Sequence, residues 1–227
     1  MKTLRSLTKV LALLGLIGIM LGTTSARAGV LNYLVDINTS ALVGNPSAPF
    51  SLDFQSNWAS GLSQTVTLNN FIFTGGSVTG PASLFGGGVT GDLGSSLVFN
   101  ASLGNSSNEY YQALTSGVTD IKFNLSLTTN SAGITPTSFS AAILDNLLGN
   151  IPTTAAGSDN LVFASIDGLN TTISGYNSTV AGSSTPGVNV TLTAIPEPSA
   201  YAGILGACAL TAGLYRRQRR KSGQISA

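Results

Sequence analysis

Apolar and polar residues alternate with a period of two along much of the chain, and that spacing predicts β-strands. It puts one set of side chains on each face of an extended segment, one free to meet water and the other to be buried. Ile121, Phe123, Leu125 and Leu127 alternate with Lys122, Asn124, Ser126 and Thr128. The same rhythm runs through Tyr33, Val35 and Ile37, through Val66 and Leu68 to Ile72, and through Leu97, Phe99, Ala101 and Leu103. It returns in Phe139, Ala141 and Ile143, in Leu161 and Phe163, and in Val188, Val190 and Leu192. Glycine-rich punctuation at Thr74-Gly75-Gly76, Gly86-Gly87-Gly88, Gly91-Asp92, Asp167-Gly168 and Pro186-Gly187 predicts turns between the strands. Short helices are expected at Glu109 to Leu114 or Ile143 to Leu148, and a loop from Asn177 to Pro186. Eight to ten short antiparallel strands imply an all-β, jelly-roll-like β-sandwich over residues 29–192, with no internal repeat.

Both ends break the pattern. Lys2, Arg5 and Lys9 precede an aliphatic run from Val10 to Leu21, and Ala26 and Ala28 supply a small-x-small cleavage pattern, so residues 1–28 are expected to be a signal peptide. At the other end, Pro196-Glu197-Pro198 is followed by an uncharged run from Ser199 to Tyr215 and then by Arg216, Arg217, Arg219, Arg220 and Lys221. As a helix, residues 199–215 would extend ~25 Å, slightly less than the ~30 Å hydrocarbon core, and are expected to form a transmembrane helix. The basic cluster would be its stop, and 222–227 a short tail.

Charge divides the chain in the same way. Four of the ten basic residues lie in 1–28 and five in 216–221, leaving Lys122 alone in the body against eight acids, a net charge of −7. A surface of that sign repels phosphate backbones and anionic headgroups, which argues against nucleic acid as a partner.

The motif, apolar run and arginine cluster together resemble the PEP-CTERM sorting signal of bacterial envelope proteins, here spanning 193–221 with the motif at 196–198. Ser51-Leu52-Asp53-Phe54-Gln55, Asn70-Phe71 with Gly75-Gly76, and Ser138-Phe139 are similar to segments of such ectodomains. The resemblance implies an exported protein, held first as an inner-membrane anchored precursor and handled by an exosortase. Delivery to the outer surface or extracellular matrix, with exopolysaccharide or biofilm, would follow.

The chain contains no histidine, so Ser-His-Asp and Cys-His relays and His-based zinc sites are excluded. Cys208, the only cysteine, can form no intramolecular disulfide. Among catalytic groups that leaves paired carboxylates, drawn from Asp53, Asp92, Glu109, Asp120, Asp145, Asp159 and Asp167. Their isolated placement suits turns and surfaces better, and no catalytic residues or cofactor are assigned. Asp159-Asn160 with Asp167 could offer oxygen ligands to calcium, but no EF-hand loop or acidic repeat supports a metal site. Aromatic rings beside amides can bind sugars, and Trp58 with Asn57, and Tyr110 and Tyr111 with Asn108, are the candidates. The expected function is a noncatalytic surface or matrix protein. The alternatives are a carbohydrate-binding module or a carboxylate-based glycosidase.

Overall fold

The computed structural model describes residues 29–58, 64–103, 106–129, 137–167, 171–178, 187–196 and 205–213. The first strands are β1 (Val30–Asn38), β2 (Ser51–Asn57), β3 (Thr65–Thr74), β4 (Val78–Phe85), β5 (Val89–Gly91) and β6 (Ser96–Asn100). They are followed by β7 (Ser107–Leu114), β8 (Asp120–Thr128), β9 (Thr137–Leu144), β10 (Val162–Ile166), β11 (Thr172–Gly175) and β12 (Asn189–Ala194). One sheet has the order β12-β1-β8-β3-β6-β5 and the other β11-β10-β9-β2-β7-β4, with antiparallel neighbours throughout. We call them sheets A and B.

From β1 to β8 the chain crosses between the sheets in jelly-roll fashion, with β1-β8-β3-β6 facing β2-β7-β4. The short β5 stays on β6 rather than joining sheet B, and β9, β10 and β11 widen sheet B beyond β2. At one edge Gly175 of β11 lies against Val190 and Leu192 of β12, where the two sheets approach closely.

The inward residues of β8 are the alternating set Ile121, Phe123, Leu125 and Leu127, all fully buried. They meet Leu52 and Phe54 of β2, Phe139 of β9 and Phe99 of β6 in one core. Phe54 sits at its centre, with ring centroids 6.0 Å from Phe71, 5.5 Å from Phe123 and 6.2 Å from Phe139. Edge-on and stacked pairs of this kind add to the burial of apolar area. On the outer side of sheet A, Lys122 reaches Asp36 at 2.8 Å and Asp120 at 3.2 Å, so the body's one cation is held between two carboxylates.

Several expectations are corrected. Glu109 to Leu114 is no helix but part of β7, because backbone pairing to β2 on one side and β4 on the other outweighs the helix propensity of Glu, Gln, Ala and Leu. Ile143 and Leu144 end β9, and Asp145 then turns the chain, accepting hydrogen bonds from the backbone of Leu147 and Gly149, both at 2.9 Å. The membrane-spanning helix expected over 199–215 is also overturned, and no helix among the described residues is long and apolar enough to cross a membrane. The helix described there covers 205–213. Gly206, Gly213 and four other small residues give it little apolar surface, and Thr211 turns its hydroxyl back onto the Ala207 carbonyl. The proposed signal peptide with Ala26 and Ala28, the motif residues Glu197 and Pro198, and the basic residues Arg216, Arg217, Arg219, Arg220 and Lys221 lie outside the described residues. Pro196 is described, just after β12.

Replacing Phe54 by Ala removes the ring that touches three others. It is expected to cost about 3–5 kcal/mol, read as a lower urea midpoint with an unchanged slope.

Candidate functional site

Sheet B has one face against the core and one toward solvent, and strand parity decides which side chains reach the latter. In β2, Leu52, Phe54 and Ser56 point inward, so Asp53 and Gln55 point out. Tyr110 and Leu114 of β7 belong to the core, which leaves Glu109 and Tyr111 outside. Phe139, Ala141 and Ile143 of β9 are inward, so Ser138, Ser140 and Ala142 are outward. Val162, Ala164 and Ile166 of β10 fill the core and turn Phe163 outward. Phe163 thus reverses the alternation expected for Leu161 and Phe163, since the core takes the other parity of β10.

The register then assembles a row across the sheet. Phe85 of β4 pairs with Glu109 of β7, Glu109 with Gln55 of β2, Gln55 with Ser140 of β9, Ser140 with Phe163 of β10, and Phe163 with Ser174 of β11. At ~4.8 Å per strand, the two phenylalanines are ~19 Å apart, with an amide, a carboxyl and a hydroxyl between them. Phe85 is 54% exposed and its ring stacks on Tyr111 at 6.2 Å with an interplanar angle of 17°. Gly86 fixes the end of that strand, since its φ is +87° and an added Cβ would lie 2.2 Å from the Ser107 carbonyl oxygen. Between the aromatics, Ser140 and Ala142 are buried, forming a recessed lane of small side chains.

Asp53 lies one row along, between Ala142 of β9 and Tyr111 of β7. Although on the outer face, it is only 1% exposed. Its Oδ2 accepts a hydrogen bond from Gln55 Nε2 at 2.8 Å, while Oδ1 has no donor partner among the described residues. Burial, the charge of Glu109 and a hydrogen bond with Glu109 push the Asp53 carboxyl up to about 7, against the stabilising bond from Gln55.

The other candidates separate. Trp58 is 5% exposed and Tyr110 is fully buried, so both belong to the core and neither forms an exposed stacking surface. The Tyr110 hydroxyl donates to Gln112 Oε1 at 2.7 Å. Of the expected ligand aromatics, Tyr111 alone lies on the outer face. Phe85, Phe163, Gln55 and Ser140 had no sequence signal as ligand groups, because cross-strand register brings them together. Asp92 accepts from Gly94 N at 2.9 Å and Ser95 Oγ at 3.0 Å in a turn, and Asp159 accepts from Thr153 N at 3.3 Å. Asp120 is held by Lys122, and Asp167 follows the end of β10. Among the described residues, no three His, Cys, Asp or Glu side chains are grouped to hold a metal ion.

A concavity of about 540 Å³ lies where β2 begins and β9 ends. Leu42, Phe50 and Ile151 contribute its apolar lining, and Asn45, Asp145 and Asn150 its polar groups.

No family model matches the chain, and no curated protein or solved structure matches it. The resemblance to PEP-CTERM proteins is therefore corrected: no comparison supports that family, and the described helix at 205–213 does not provide the membrane-anchored precursor that exosortase handling requires. The exosortase partner, the exopolysaccharide association and the assignment to the inner membrane and then the outer surface fall with it.

Proposed function

We propose that this protein is a noncatalytic carbohydrate-binding domain, and that the outer face of sheet B carries the ligand. One observation supports the reading above the rest. The register row sets the stacked Phe85–Tyr111 pair and Phe163 at opposite ends of a polar lane formed by Glu109, Gln55 and Ser140. Aromatic faces match the apolar C–H faces of sugar rings, while amide, carboxyl and hydroxyl groups match their hydroxyls. The ~19 Å between the phenylalanines suits an extended oligosaccharide lying across the strands.

The charge of the face narrows the ligand class. It carries Asp53 and Glu109, and Lys122, the only basic residue between 29 and 215, is held on sheet A by Asp36 and Asp120. Such a face favours neutral or amino sugars and repels uronic acids and sulfated chains. The burial of Asp53, which is 1% exposed, favours binding over turnover, since a glycosidase needs two carboxyls that both reach the scissile bond.

Titration calorimetry with a neutral glucan oligosaccharide, and with a polyuronate of equal length, tests the assignment. Saturable binding of the glucan with weak or no binding of the polyuronate is expected, and absence of binding to both would overturn the reading. Tyr111→Ala and Phe163→Ala are each expected to weaken glucan binding by about fivefold, since a ring contact contributes on the order of 1 kcal/mol. Trp58→Ala should instead lower thermal stability by several degrees and leave the affinity of the folded fraction unchanged.

A further inference from the structure

Asp53 and Glu109 are diagonal neighbours on one sheet face, because Asp53 is in register with Tyr111 and Gln55 with Glu109. Asp53 is buried there, and among the described residues it forms no ion pair. Among the described residues, the titratable groups facing it are Glu109 and Tyr111, both from β7. From β9 come only Ala142 and Ser140, and from its own strand Ser51 and Gln55. Gln55 satisfies Oδ2, leaving Oδ1 as a buried oxygen with no donor partner among the described residues, on the face that also carries Glu109. Two ionised carboxylates in that arrangement would repel across a poorly solvated gap, whereas one proton turns the repulsion into a hydrogen bond.

We propose that Asp53 and Glu109 hold one proton between them, carried on Asp53 Oδ1 and donated to the Glu109 carboxylate. Asp53 is thereby a positioning residue that fixes Glu109 as an acceptor for ligand hydroxyls, and the face loses affinity when the proton leaves. The ligand half of this inference rests on the carbohydrate-binding reading, while the proton half is independent of it. Burial and the Glu109 charge place the titration of Asp53 at about 7, so the change falls across neutral pH. Above that pH the proton passes to solvent, and the two like charges push Glu109 out of line with Gln55 and Ser140.

The sign for stability follows from the same shift. The folded state holds the proton up to about 7 while an unfolded Asp releases it near 3.9, so stability falls as pH rises between those values and then levels off.

The test combines carbon-detected NMR titration of the side-chain carboxyls with glucan calorimetry at about pH 6 and about pH 8.5. In the unmodified protein, Asp53 is expected to titrate near neutrality and glucan affinity to drop several-fold between the two pH values. Glu109→Gln should move the Asp53 midpoint downward by removing the charged acceptor. Asp53→Asn, which keeps a donor toward Glu109, should retain the low-pH affinity with no pH dependence and flatten the decline in urea midpoint. An Asp53 midpoint near that of an ordinary carboxyl, or one unmoved by Glu109→Gln, would overturn the shared proton. A neutral midpoint with pH-independent glucan affinity would overturn the coupling to binding. Absence of glucan binding at both pH values would overturn the coupling along with the carbohydrate-binding reading, while the NMR arm would still decide the proton.

Discussion

The closure of sheet A on sheet B around Phe54 governs what the rest of the protein can do. Its ring reaches Phe123 from β8, Phe71 from β3 and Phe139 from β9, and Phe139 reaches Phe99 from β6 at 5.9 Å. These contacts pin the inward parity of strands in both sheets. Strand side chains alternate with a strict period of two, so a slip of one residue would turn every core ring toward water. The fit of the aromatic core therefore also determines which side chains stand outside.

The outer face of sheet B follows from that constraint. With Phe54 and Leu52 inside, Asp53 and Gln55 must be out; with Tyr110 inside, Glu109 and Tyr111 must be out. The cost appears at Asp53, whose carboxyl is buried on a face where, among the described residues, the Gln55 amide is its one side-chain donor. A core-driven register places that group, and the local chemistry then makes the neutral form favourable. Burying a polar group with an unfilled hydrogen-bond position costs stability there.

Much of the strand pattern was legible from the chain because these strands are half-buried. The β8 alternation of Ile121, Phe123, Leu125 and Leu127 with Lys122, Asn124, Ser126 and Thr128 reads directly as inner and outer faces. Legibility failed where several competing forces acted on the same residues. In 109–114, good helix formers are held in a strand by partners on both sides. The apolar run at 199–215 was already slightly shorter than a hydrocarbon core, and its described helix, 205–213, is dominated by small residues. Among the aromatics, residue type gave no means of separating Tyr110 from Tyr111, since adjacent strand positions face opposite sides and only packing decides which one is buried.

By itself, the sequence determined the strand-forming body, the absence of histidine chemistry, the isolation of Lys122 among carboxylates and the turn positions marked by glycine. Those properties depend on residue type and short-range spacing, which a linear chain carries in full. Only the tertiary structure decided that Phe85, Glu109, Gln55, Ser140 and Phe163 share one row, that Trp58 is core, and that Asp53 lies diagonal to Glu109. The reason is physical: these groups come from strands as far apart in sequence as β2 and β10, and their alignment depends on cross-strand register. That register follows from how the whole core packs, which no local pattern encodes.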